Sequence, residues 1–437
     1  MNAVDEFDRA VLSVALDDIR EDFGLNDFTA ALLPVAVIFI TGIISLPAGN
    51  WSDRHKRVNI LAYGAIVWGS AGIFAATSRS FIQLFLTRAL LGFGQGTIVP
   101  THASLLSDYY PVSVRGRALG YHRSANPLGQ VIGGIAGGLL VGTVGWRWGF
   151  LAAAVPGLIL GLLAFRMREP ARGEADIAAA AEQNPALREF LRTPPDALGF
   201  FASLSWIFRI PSLKWLILTN AAFGFSLFGS VFWLPTLFER EYGFSTEAAG
   251  AALGTMAFFA FLGSMLGGPF ADRSLAKGFD YLGKVGVVAA ASLTVTWTIA
   301  FLMPNGALCL VWLAVGAFVA SLGTGGLVSI IAAASPPRIR SQAFSAFGLA
   351  LVVCGAAVAP LVVGGSSELL QRYAEMGRGE GLRWSMLAAT TVVMAFGTWL
   401  CYLASRTCAA DVQRTMTDFF SDLAKRSSQT PSPTRDP

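Results

Sequence analysis

The sequence predicts an all-α integral membrane protein of two pseudo-symmetric six-helix bundles, with about twelve transmembrane helices. Three observations predict it. Of the 437 residues, 54% are hydrophobic and only 14% charged, and the mean hydropathy is +0.56. Apolar runs of membrane-spanning length recur from end to end, and the second half repeats motifs of the first. A soluble domain of this size cannot hide so much apolar surface behind so few charges, whereas a hydrocarbon solvent accepts it.

The spans read as 29–50, 58–78, 81–107, 115–141, 146–168, 212–236, 246–272, 282–303, 306–334, 340–365 and 381–405. At about 1.5 Å per helical residue, each crosses roughly 30 Å of hydrocarbon. Residues 1–18 serve as a first span of unusual character, with only seven residues before Asp8. The expectation is that this span begins roughly twenty residues before Met1, since a spanning helix needs about that many apolar positions.

The organisation expected is a first bundle over 1–168, a linker over 169–211, a second bundle over 212–405 and a tail over 406–437. Phe200, Phe201, Leu204, Trp206, Ile207 and Phe208 make the end of the linker either an interfacial helix or a partly ordered connection. The tail is expected to be largely disordered and cytoplasmic, given its Ser, Thr and Pro content near the end. Basic residues alternate between loops. Asp53-Arg54-His55-Lys56-Arg57, Arg115 with Arg117, Arg273 with Lys277 and Lys284, and Arg338 with Arg340 lie on one side. Positive charge marks the cytoplasmic side, so both termini are expected there, in a cell (inner) membrane. The net charge of +4 is spread over short loops, which argues against a nucleic-acid partner.

Gly49, Asp53 and Arg54 recur at a constant offset as Gly268, Asp272 and Arg273. Pro111, Arg115 and Ala118 recur as Pro336, Arg340 and Ala343. Repeats in the same order and orientation imply two bundles related by an axis along the membrane normal, with a cavity between them.

The residues after the second span resemble the major facilitator signature G-x-L-x-D-R-x-x-R. Gly49, Asp53, Arg54 and Arg57 match it, with Trp51 in place of leucine. Arg88, Gly92, Gly94 and Gly96 match the fourth-span signature R-x-x-x-G-x-G-x-G. Within that superfamily the chain looks most like Spinster-type transporters, on Asp8-Arg9 with Asp18-Ile19, Phe232-Trp233-Leu234-Pro235-Thr236, Arg168-Glu169-Pro170 and Arg340-Ser341-Gln342-Ala343. Organic-anion symporters share several of these matches. Two positions depart: Gln95 stands where Spinster-type proteins carry a glutamate, and Asn126-Pro127 with Gln130-Val131 do not fit the antiporter signature G-P-x-x-G-G.

The resemblance implies secondary transport by alternating access, coupled to protons. Ionisable groups at bilayer depth usually face a cavity or a partner, and here they concentrate in the first half: Asp8, Arg9, Arg88, His102, His122 and Arg123. Asp8 and Arg88 are the coupling candidates that the resemblance implies, against a purely structural pairing of Asp8 with Arg9 or Arg88. The substrate candidates are Arg88, His122, Arg123, Asn126, Gln95, Phe228 and Trp233. His122 and Arg123 are adjacent, so they point about 100° apart on a helix. Gly49, Asp53, Arg54, Arg57, Asp272 and Arg273 are gate candidates, against loop capping. Gly129, Gly133 and Gly137 read as small-xxx-small packing.

A charged wall facing Phe223, Phe225, Phe228, Phe232, Trp233, Phe258, Phe259 and Phe261 suits an amphiphilic organic anion such as a lysolipid. The alternatives, in order, are symport of small organic anions such as sugar acids or carboxylates, drug efflux, and a non-transporting membrane receptor or scaffold. A monomer without cofactor or metal is expected. Cys309, Cys354, Cys401 and Cys408 show no metal-like spacing, and no catalytic constellation is readable.

Overall fold

A computed structural model describes residues 1–110, 122, 124–170, 200–335 and 340–429. Fifteen helices are described: α1 Asn2–Val14, α2 Leu16–Phe23, α3 Asp27–Arg54, α4 Arg57–Ala76, α5 Phe81–Tyr109, α6 Ser124–Val144, α7 Trp146–Ala164, α8 Phe200–Arg209, α9 Pro211–Tyr242, α10 Thr246–Leu275, α11 Phe279–Leu302, α12 Gly306–Ala334, α13 Arg340–Ala350, α14 Ala359–Tyr373 and α15 Arg378–Gln429. No strand occurs among the described residues. Ten helices there are long and apolar enough to cross a membrane. α5 and the α1–α2 pair, which carry Arg88 and Asp8, complete the two six-helix sets.

Local chemistry sets the turns. Asn26, Ser80 and Asn305 accept from the third-residue N–H of α3, α5 and α12, satisfying donors that a helix start leaves open. Gly24 and Gly243 end α2 and α9 at φ of 63° and 68°, backbone that glycine adopts without penalty. The expected first span is helical, but it breaks at Ala15 between α1 and α2.

The repeat carries into backbone detail. α6 contains a π-helical turn at Gly133–Gly137, and a longer π segment, Leu351–Val358, joins α13 to α14 in the corresponding helix of the second bundle. Such segments are uncommon and frequent at functional sites. Both lie where the bundles meet. The α6 turn packs on α1 and α10, and the second π segment packs on α9 and α3.

The seam between α6 and α10 is glycine on glycine. A Cβ on Gly250 would lie 2.5 Å from the Gly134 carbonyl oxygen, and one on Gly134 would lie 2.6 Å from the Gly254 nitrogen. The expected stripe of Gly129, Gly133 and Gly137 instead admits Ala3, Phe7, Ala10 and Val11 of α1. α6 thus has two small-residue faces, one toward its own bundle and one toward the other. The signature glycines of α5 serve packing too: Gly92 meets Val37 of α3, and Gly94 meets Gly64 and Trp68 of α4.

The structure bears on two boundaries. α15 continues past residue 406 as helix to Gln429. Val412 is buried and the Asp411 carboxylate accepts from the Ser212 N–H at 2.9 Å. That contact caps the start of α9, which explains why the helix stays docked. In the linker, Phe200–Arg209 is helical, with Ile207 buried and Trp206 and Phe208 exposed.

Gly250→Ala is expected to cost about 1–3 kcal/mol by overpacking the seam, read as a lower thermal midpoint of the purified protein. Gly42→Ala, whose added Cβ meets nothing within 4 Å, should leave the midpoint unchanged. Equal midpoints for the two variants would show that the seam is not a close contact.

Candidate functional site: a cavity between the bundles

A cavity lies between the halves, with about 730 Å³ of empty space when the open solvent at its mouth is included. Its first-bundle wall carries all the polar groups, Glu6, Asp8, Arg9 and Ser13 from α1, Arg88 and Gln95 from α5, and Gln130 from α6, beside the apolar Ala10, Leu12, Pro34, Val37 and Ile38. Its second-bundle wall is apolar: Phe228, Val231 and Phe232 of α9, Leu253 of α10, then Ala356 and Pro360.

Helical spacing explains the polar wall. Glu6, Arg9 and Ser13 follow at three and four residues and share one face of α1. Asp8 turns aside to Arg88, whose Nη1 donates to Asp8 Oδ2 at 2.7 Å. Arg88 is fully buried and its guanidinium lies 4.0 Å from the Phe150 ring centroid, a cation–π contact strengthened by desolvation. Arg9 pairs with Asp5 at 3.4 Å and reaches Gln95 Oε1 at 3.5 Å, and the Gln95 amide also donates to Asp5. Gln130 Nε2 donates to Glu6 Oε2 at 2.9 Å.

Hydrogen-bonding capacity is left over. Arg88 Nε and Nη2, Arg9 Nε and Asp8 Oδ1 are buried without a partner among the described residues. Unmet donors are costly in a low-dielectric site. Three come from two guanidiniums, so the cavity is suited to an anionic group.

The structure gathers part of the expected set. Asp8, Arg88, Gln95 and Phe228 meet at the cavity. Asn126 is partly buried on α6 with Oδ1 unpartnered, outside the cavity lining. His122 hydrogen-bonds with Asn2 at 3.1 Å and stacks edge-on with His102 at 5.0 Å between ring centroids, also away from the lining. Arg123 lies outside the described residues. Trp233 is a correction: it is fully buried in the packed core, its indole N–H donating to the Pro360 carbonyl at 3.0 Å. It follows Phe232 in sequence and points about 100° away from it on the helix, into the core. Phe223, Phe225, Phe258, Phe259 and Phe261 do not line the cavity, and Phe228 and Phe232 form its aromatic wall.

The gate candidates divide similarly. Gly49, Asp53, Arg54 and Asp272 lie in helical stretches whose side chains fall outside the described set, and Arg273 is exposed. Arg57 is fully buried and binds Asp108 and Glu169, at 2.8 Å for the latter, and the Pro170 carbonyl at 2.9 Å. Asp108 belongs to the first bundle and Glu169 and Pro170 to the start of the linker, so these contacts fasten the linker to the first bundle and do not bridge the two halves. Burial pushes the Glu169 carboxyl up, but the Val58 N–H and the Arg57 guanidinium outweigh it and hold it below its ordinary range. That contribution to stability is present at neutral pH and is lost as pH falls through the lowered value.

A bridge between halves occurs at the other end, and the sequence reading missed it. Arg240 of α9 grips Asp17 of α2 at 2.6 Å and Asp27 of α3 at 2.9 Å. Arg20 also binds Asp17 at 2.8 Å, and Ser367 and Gln371 of α14 donate to Asp27. Asp27 and Arg240 are nearly fully buried.

Asp8→Asn should lower stability by about 3–5 kcal/mol, because it strands the buried Arg88 charge. Adding Arg88→Gln should recover most of the loss in thermal midpoint, and failure to recover would show that the two do not act as a pair. Arg240→Gln should open the end it closes. A cysteine at Ser367, in a background without the native cysteines, should then react faster with a membrane-impermeant maleimide. Unchanged labelling would show that the bridge does not hold the halves together.

Comparisons place this architecture among known proteins. The Major Facilitator Superfamily profile matches residues 1–360. The cis,cis-muconate transport protein of Acinetobacter baylyi is 27% identical over 368 residues, 83% of this chain and 84% of that one. Protein spinster homolog 1 of Xenopus tropicalis is 29% identical over 40% of this chain and 34% of its own length. In fold, the chain is similar to a bacterial homolog of the human lysosomal transporter Spinster, solved inward-facing and unoccupied: TM-score 0.78, 24% identity, 94% of this chain and 96% of that one. These relatives are transporters, not enzymes. The chain belongs to the Major Facilitator Superfamily and is a multi-pass membrane transporter related to the Spinster proteins.

Proposed function

We propose that this transporter is a proton-coupled carrier of small organic anions, above all carboxylates with an apolar body. The single observation that carries the reading is the set of unmet guanidinium donors of Arg88 and Arg9 at the cavity, facing an apolar second-bundle wall. An anionic head group meets the donors, and an unsaturated or aliphatic body meets Phe228, Val231 and Phe232. The muconate transport protein, matched over most of its length, is named for an unsaturated dicarboxylate, one of whose carboxylates would meet the donors. Both arginines come from the first bundle, which fits one anionic head better than a sugar acid held by cations on both sides.

Protons enter because the arginines share the site with carboxylates. A substrate anion must displace or neutralise a competing carboxylate, and protonation does so with the least rearrangement. The Arg240 bridge closes one end. By the charge of the loops that end faces outside, with both termini cytoplasmic, so this conformation corresponds to one closed to the exterior. One chain encloses the whole cavity, which is consistent with a working monomer.

A second reading, an anionic amphiphile such as a lysolipid, is favoured by the apolar residues that both bundles give the lining, Leu12, Val37, Ile38, Phe228, Phe232 and Leu253 among them. Proteoliposome uptake decides between the two. With the acidic compartment on the side of addition, cis,cis-muconate should accumulate and a lysophospholipid should not. Accumulation of the lysophospholipid alone would select the second reading. Uptake indifferent to the pH gradient would remove proton coupling.

A further inference from the structure

We propose that Glu6 carries the coupled proton and that Gln130 positions its carboxyl, a step that rests on the proton-coupled reading above. The argument compares the three carboxylates gathered on α1. Asp8 is held by Arg88 at 2.7 Å. Asp5 is held by Arg9 and by the Gln95 amide. Glu6 lines the cavity, yet among the described residues it makes no ion pair, and its one hydrogen bond comes from the neutral amide of Gln130.

A carboxylate gripped by a buried guanidinium resists protonation, because the proton would strand the cation. One held only by an amide gains and loses a proton without stranding a partner. The Gln130 N–H donates to Oε2 in both states, leaving Oε1 to take the proton. Gln130 therefore fixes the carboxyl in space through the cycle.

The surroundings of Glu6 favour this role. On α1 the charged neighbours are Asp5, Asp8 and Arg9, of which Arg9 attracts and Asp5 repels. α5 presents Arg88, already paired, and Gln95, which is neutral. α6 presents Gln130. The second bundle contributes only apolar groups to the cavity, Phe228, Val231, Phe232 and Leu253 among them. Glu6 thus sits between the arginines that bind an anion and a wall that offers its charge no compensation. Ionised, it repels an incoming anion, and protonated, it admits one. That is the property a symport step needs.

Gln95 is consistent with the assignment. The glutamate expected there from resemblance is absent, and the amide bridges Arg9 and Asp5. It fastens Asp5 into a pair and leaves Glu6 as the carboxylate without one.

The test uses the full chain reconstituted in liposomes. Infrared difference spectra between acid and alkaline pH should show a protonated-carboxyl stretching band. Glu6→Gln should remove that band, Asp8→Asn should keep it, and Gln130→Leu should shift its midpoint. Glu6→Asp, the conservative variant, should retain a displaced band and guards against a folding defect in Glu6→Gln. With cis,cis-muconate as probe, Glu6→Gln should cut gradient-driven accumulation by about tenfold while counterflow exchange continues. A titrating band that depends on Glu6 in a protein that moves no muconate supports the proton site and counts against the substrate reading alone. A band that survives Glu6→Gln and vanishes in Asp8→Asn overturns the proposal, as does undiminished gradient-driven accumulation in Glu6→Gln.

Discussion

Burial of the Arg88 guanidinium beside Asp8 is the constraint on which the rest of the structure depends. An isolated charge at that depth is costly, and a pair repays the cost only when its geometry is good and its remaining hydrogen bonds are met. One contact of 2.7 Å and the Phe150 face meet part of that demand. The rest must come from helices packed closely enough to hold α1 against α5, and from a partner that visits the cavity. The glycines of α5 and the Gly129, Gly133 and Gly137 face of α6 supply the close packing. A site that leaves guanidinium donors unmet has interaction energy in reserve for an anion.

The two bundles are held by contacts of different kinds. At the α6–α10 seam the hold is steric: bare backbones touch, and dispersion over many small contacts supplies the attraction. At the Arg240 end the hold is ionic, with two carboxylates of the first bundle gripping one arginine of the second. A glycine seam tolerates rotation because few side chains cross it, Ile135 against Gly254 and Glu247 against Gly142. A buried ion pair instead prefers to be fully made or fully solvated, since the intermediate leaves unpaired charge in low dielectric. A rolling contact beside an all-or-none latch is a physical basis for two discrete states. Arg20 keeps Asp17 paired when Arg240 leaves, which limits the penalty of opening.

Long apolar runs and the repeated Gly-x-x-x-Asp-Arg motif made the bundle architecture legible in the sequence, because spanning length and duplication are properties of the chain itself. The site was legible where a charge stood in an apolar context: Arg88 and Asp8 declared themselves that way. Asp5 and Glu6 did not, because a short acidic stretch at a chain start reads as solvated, and only the fold shows it packed under α6. Gln130 was visible merely as a departure from a motif, since a neutral amide gives no signal until its partner is known. Trp233 was assigned to the site on type alone, whereas the rotation of α9 assigns the cavity to Phe228 and Phe232. Arg240, Asp17 and Asp27 sit at helix ends, where charges are common. Their pairing joins residues more than two hundred positions apart, a distance that one sequence does not encode locally.

The charge count of the cavity bears on what a coupled cycle can move. Asp5, Glu6 and Asp8 against Arg9 and Arg88 leave one net negative charge when all are ionised. One proton on Glu6 brings the cluster to neutrality, and a bound monoanion, or a dicarboxylate such as muconate with one carboxyl protonated, restores the single negative charge. The empty and the loaded cavity then carry equal charge, so the low-dielectric surroundings oppose the two crossings equally. An anion bound without the proton would carry the cluster to two negative charges. At about 6 Å and an effective dielectric near 20, repulsion between Glu6 and that anion is about 3 kcal/mol, a factor of roughly a hundred in affinity. That ratio sets how tightly proton and anion are coupled. The cation beside Glu6 is Arg9, already paired with Asp5, and the apolar wall of Phe228, Val231, Phe232 and Leu253 adds no other that would weaken the repulsion.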